Sequence, residues 1–223
     1  MGALNKKVRI MILSVLTVIL SISFFGGVKA SASTTIIPDI SEWQGKLTST
    51  QVSNLKGQVS FIINRRQYGA NYQDKYATNN TNLYDQYGIP FGEYDYATFT
   101  SAASARNEAN VFYQHSNKDA KFYVLDYEEN DVTSGTTNAA VKAWYNQMRS
   151  LTSKKLVFYS YQSFATAHAN TARKSFDAQW IANYSSRPTI QTDLWQYTNK
   201  KYVPALKESV DASTILNSSK PIT

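Results

Sequence analysis

Four acidic side chains crowd the close of the run KFYVLDYEEND: Asp126, Glu128, Glu129 and Asp131. The run begins like a buried strand, and residues two apart on a strand point to the same side. Asp126 and Glu128 are thus expected on one face, with Cα atoms roughly 6.5 Å apart. At an effective dielectric near 20, two charges about 6 Å apart repel by about 2.8 kcal/mol, or about two pKa units. One carboxyl then stays ionised while the other keeps its proton near neutral pH. A proton donor beside a carboxylate is what cleavage of a glycosidic bond requires. The plainer reading of the same residues is a solvated acidic strand end.

Other acids fall at comparable places. Asp39 closes IIPDIS, Asp95 closes GEYDYA, and Asp211 sits in SVDAS. The aromatics Tyr94, Tyr96, Tyr127, Tyr159, Trp180 and Trp195 lie on or near the same strand ends. Their faces suit the C–H faces of sugars, and their polar tips supply hydrogen bonds.

The elements that must position these groups alternate. Strand-like runs are TTIIPDIS, VSFIINRRQ, PFGEYDYATF, KFYVLDYEE, KLVFYSYQS, AQWIANYS, TDLWQYT and SVDAS. Helical spacing appears in SAASARNEANVFYQHS and in TTNAAVKAWYNQMRSLTS, with Val141, Trp144, Met148 and Leu151 on one face. A shorter helix, TNLYDQYGIP, is expected to end at Gly88. Such alternation implies a parallel sheet. From Gln179 on there is little room for helices, and no glycine-rich phosphate loop occurs, so an irregular α/β barrel fits better than a doubly wound sheet. Carboxyl ends of parallel barrel strands meet at one rim, which would gather the distant acids into one cleft.

The chain has 223 residues and a formal net charge of +7. Residues 1–32 read as a secretory signal peptide: a basic start, an apolar stretch from Ile10 to Phe25, then small residues. An uncleaved anchor is the alternative, although the apolar stretch is short for a span. Residues 33–223 form one domain. Without the leader the balance is 19 basic against 16 acidic residues, a net of +3, which does not argue for nucleic acid. No cysteine and only two histidines, His115 and His168, make a metal site or Cys–His chemistry a poor expectation. Neither a cofactor nor a metal is expected.

PDISEWQG, GIPFGEYDYA, YVLDYEE, WIANY, LWQYT and VDAS, in this order and spacing, resemble glycoside hydrolase family 25 over about residues 36–216. The resemblance implies a TIM-like irregular (β/α) barrel that cuts the β-1,4 bond between N-acetylmuramic acid and N-acetylglucosamine. Glu128 would be the general acid and Asp126 would tune it. Asp39 and Asp211 would line the cleft. Whether an enzyme carboxylate or the substrate's acetamido group attacks stays open. Arg65, Asp95 and Gln196 join the aromatics as the implied substrate-binding set. Asp95 stands where many relatives carry histidine and would be an added acid in the cleft. Arg66 would contact a substrate carboxylate or merely be solvated. The implied partner is peptidoglycan glycan strands, met by a monomer secreted to the cell wall with no stable membrane association once the leader is cut. A non-catalytic glycan-binding protein on the same barrel is the competing reading.

Overall fold

The computed structural model describes residues 35–223. The leader, in either reading, lies outside the described residues. No helix among the described residues is long and apolar enough to cross a membrane.

Chain order is β1 (Ile37–Ile40), α1 (Ser49–Leu55), β2 (Ile62–Tyr68), β3 (Tyr72–Gln73), α2 (Ala77–Gln86), β4 (Phe91–Tyr96), α3 (Ala102–His115), β5 (Phe122–Asp126), α4 (Thr137–Leu151), β6 (Lys155–Tyr161), α5 (Gln162–His168), β7 (Ala178–Ala182), β8 (Leu194–Val203) and β9 (Glu208–Ile215). The strands pair in the order β1-β9-β8-β7-β6-β5-β4-β2, and β1 also pairs β2, which closes the barrel. Strand β3 hangs off β2 as a hairpin outside that ring. All pairings in the ring are parallel except those of β9, which runs antiparallel to β1 and β8. Each expected strand is present, as are the three expected helices. Helices α1 and α5, seven residues each, were too short to show a period. Helix α2 ends as expected: Gly88 takes φ 66° and Pro90 follows.

Strict alternation divides the side chains into two layers. Outward residues such as Tyr123, Leu125, Phe158 and Ile181 form one buried cluster with Ala109, Phe112, Val141, Trp144 and Met148 from α3 and α4. Inward residues form a second cluster inside the barrel, built on Ile37, Phe61, Ile63, Phe122, Val124, Val157, Ala178 and Leu194. Helix starts are fixed locally. Thr48 and Ser101 each close a capping box, and Thr136 caps α4 by accepting from the Ala139 amide.

The interior is filled to contact, so one position must stay bare. A Cβ on Gly92 would come within 2.3 Å of the Phe122 ring. Gly92→Ala is expected to cost about 1–3 kcal/mol through overpacking and to lower Tm by several degrees. An unchanged melting temperature by calorimetry would refute this account of the packing.

Candidate active site

Each inward column begins apolar and ends polar or aromatic at the same barrel end. Ile37 leads to Asp39, Ile63 to Arg65, Gly92 to Tyr94 and Tyr96, Val124 to Asp126, Val157 to Tyr159, Ala178 to Trp180, and Leu194 to Gln196. The apolar half is a packed floor. The polar half opens into a cleft of about 240 Å³ lined by Asp39, Arg65, Tyr94, Tyr96, Asp126, Glu128, Tyr159, Trp180 and Asp211. A second hollow of about 270 Å³ is lined by Tyr161, Ala182, Asn183 and Tyr184, and shares Glu128 and Tyr159 with the first. Glu128 therefore stands at the junction of two lobes.

The four acids form two carboxyl–carboxyl pairs. Strand register sets Asp39 opposite Asp211 across β1 and β9, where directly opposed like charges destabilise. Asp126 and Glu128 are hydrogen-bonding neighbours. Asp126 Oδ1 is buried with no hydrogen-bond partner among the described residues. Burial comes first and Glu128's charge second in holding the Asp126 carboxyl well above the usual range. Burial pushes Glu128 up to about 7, against the hydrogen bond from Asp126. Asp39 is likewise held well above its ordinary value by burial and then by Asp211. Burial also raises Asp211, opposed by its hydrogen bond with Asp39. Among the described residues no salt bridge reaches these four acids.

The surrounding side chains fix the acids in place. Gln196 Nε2 donates to Asp39 Oδ2 (3.0 Å), and its Oε1 accepts from Tyr159 OH and Tyr184 OH, each at 2.8 Å. Trp180 packs on Tyr159 with ring centroids 4.2 Å apart and donates to Ser213 Oγ (2.9 Å). Arg65 is clamped from behind by Asp74 (3.0 Å) and Glu42 (3.1 Å). Gln196 thus orients cleft groups without lining the cleft itself.

Several expectations need correction. Asp95 does not enter the cleft. It points outward between Tyr94 and Tyr96, where Gln67 Nε2 (2.9 Å) and Trp144 Nε1 (2.8 Å) donate to it. Tyr127 also faces outward, stacked on Phe99 and packed edge-on against Phe164. Trp195 alternates with the inward Leu194 and Gln196, and its indole donates to the Asn183 carbonyl (2.8 Å). Arg66 is neither solvated nor in the cleft: it is buried in an ion pair with Glu93 and bonds Thr78 and Thr81 on α2. Strand β5 stops at Asp126, so Glu128 belongs to the following loop. Asp211 reaches the rim from within an antiparallel strand, not from a carboxyl end. Trp43 was missed. It lines the cleft from the short turn after β1, where no strand or helix period announces it.

Residues 38–206 match the family model for Glycosyl hydrolases family 25. The fold is similar to the catalytic domain of an endolysin from bacteriophage P40 of Listeria monocytogenes, at 30% identity and TM-score 0.76, covering 83% of this chain and 94% of that one. A family 25 glycosyl hydrolase of Streptococcus pneumoniae is 22% identical with TM-score 0.75, covering 86% of this chain and 90% of that one. A bacterial lysozyme from Streptomyces coelicolor is 24% identical with TM-score 0.65, covering 84% and 95%. A search of curated proteins returns no match.

A carboxyl whose native pKa is raised stabilises the fold most below its unfolded pKa, and that advantage is lost as pH rises through the native value. With Glu128 at about 7 and three companions also raised, stability should fall between about pH 4 and pH 8. Glu128→Gln removes one such group. It should be more stable than the parent at pH 8 by about 1–3 kcal/mol and equal to it at pH 4. Thermal melts at both pH values check this; a variant that melts lower at pH 8 would contradict the repulsion.

Proposed function

The chain belongs to glycosyl hydrolase family 25, and from that premise we propose that it is an exported N-acetylmuramidase. Its bond would be the β-1,4 link from N-acetylmuramic acid to N-acetylglucosamine in peptidoglycan. The observation that carries the reading is the position of Glu128: a carboxyl raised to about 7, at the junction of two sugar-sized lobes. A sugar in the acid-lined lobe and its neighbour in the tyrosine-lined lobe would bring their shared oxygen to Glu128.

In this reading Glu128 donates its proton to that oxygen as the bond breaks, and a water supplies the hydroxyl that the anomeric carbon gains and the proton that restores the acid. Asp126, whose carboxyl burial holds well above the usual range, holds Glu128 in place. On the facing wall, Asp39 and Asp211 share a proton. The ionised member stabilises the positive charge that grows on the sugar ring, and the protonated member donates to the acetamido carbonyl. Tyr94, Tyr96, Tyr159, Trp180 and Arg65 form the sugar-contacting surface, with Gln196 setting the angle of Asp39 and Tyr159. Export would follow from residues 1–32, and the enzyme would act in the wall as a monomer.

Glu128→Gln is expected to lower release of reducing ends from purified peptidoglycan by at least about 10²-fold while the fold is kept. For the parent, the rate should fall as pH rises through about 7, because the ionised Glu128 has no proton to give. A parent protein that releases no reducing ends would instead support the non-catalytic glycan binder.

A further inference from the structure

We propose that the β2–β3 hairpin and the turn after β1 form an aromatic ridge that stacks further sugar rings of the glycan strand, making the enzyme selective for long strands. This rests on the muramidase reading and extends it beyond the cleft. Three aromatic side chains on this flank are well exposed: Trp43 at 80%, Tyr72 at 44% and Tyr68 at 41%. They are joined to one another. Tyr68 and Tyr72 are cross-strand partners in the hairpin. Tyr72 OH donates to Glu42 Oε2 (2.7 Å), the neighbour of Trp43. Both ends of the ridge meet the cleft, since Trp43 lines it directly and Tyr68 stacks on the cleft residue Tyr96, with centroids 4.7 Å apart and planes 8° from parallel.

The ridge is held rigid. Ser41 Oγ caps the Trp43 amide (3.3 Å), and the Glu42 amide donates to Asp74 Oδ2 (2.9 Å). Arg65 braces both of these acids. At the hairpin, the Gly69 amide donates to the Tyr96 carbonyl (2.8 Å). Gly69 takes φ +60°, and a Cβ there would lie 2.1 Å from Thr98 Oγ1, so the hairpin sits tight on the barrel. Rigid aromatic faces bind with little loss of side-chain freedom. Pyranose rings offer C–H faces to such surfaces, and a polymer threading the cleft must pass over one flank or the other. Continuity with the cleft makes that polymer the occupant.

The test compares peptide-free glycan strands of high length with a tetrasaccharide of the same repeat. Tyr68→Ala should raise KM on long strands roughly 3- to 10-fold with kcat unchanged, and leave tetrasaccharide cleavage at the parent level. Tyr68→Phe, which keeps the ring, should restore the parent KM. Trp43→Ala should also weaken long-strand binding. Equal KM on long strands for parent and Tyr68→Ala overturns the proposal, and so does an equal loss on both substrates. A shift of Tyr68→Ala from dimer to monomer in sedimentation, with glycan kinetics unchanged, would make the ridge an interface between copies and also overturn it. A parent that cuts neither substrate overturns the muramidase reading itself.

Discussion

The site depends on the desolvation of carboxyls at the open end of a closed sheet. Strand β1 is four residues long, yet it closes the ring by pairing β2 on one side and β9 on the other. That closure brings Asp39 directly against Asp211 and sets both across the mouth from Asp126 and Glu128. Isolated acids in this setting would simply protonate. Paired acids add their mutual charge to that effect: Asp211 raises Asp39 and Glu128 raises Asp126 beyond what burial does. The apolar floor below, from Ile37 round to Leu194, is what removes the water and makes the pairs titrate high.

The cations are sorted by the same alternation. Adjacent arginines on β2 point to opposite sides. Arg66 goes outward to neutralise Glu93 among the helices, while Arg65 goes inward but is claimed by Glu42 and Asp74. Both arginines of β2 therefore already have an acid of their own. Among the described residues no salt bridge reaches the catalytic candidates, and their repulsion is left unrelieved. Stability is lower for it, a common feature of sites that need an acid near neutral pH.

Much of this is legible in the sequence alone. Acids recurring at strand ends signalled the rim, and the alternation of strand and helix signalled the barrel. What failed was parity. In Tyr94-Asp95-Tyr96 only one residue type can face inward, and a slip of one residue reverses the choice. The small Gly92, which alone fits against Phe122, fixes the answer: Tyr94 and Tyr96 share its side, and Asp95 does not. Tyr127 and Trp195 fail for the same reason, each lying one residue from a true inward position. Trp43 could not be found by periodicity, because a three-residue turn has none. Nor could the antiparallel direction of β9 be read, since its short acidic stretch looks the same in either sense.

Asp95 shows what separates a chemical acid from a structural one. Burial raises it to about 7, the same value as Glu128, and burial with the charge of Asp95 raises its neighbour Glu108 to about 9. By titration alone this second pair would qualify as a site. Yet Asp95 is spent on Gln67 and Trp144, and Glu108 accepts from the backbone of Thr98 (3.1 Å), so both fasten β4 to helices α3 and α4. Neither lines the cleft that holds Glu128. A raised pKa records chiefly that a carboxyl has left water: burial raises Glu93 even with Arg66 paired to it. It becomes chemistry when the carboxyl also faces a space that a sugar can enter, and in this barrel one residue of strand register decides which acids do.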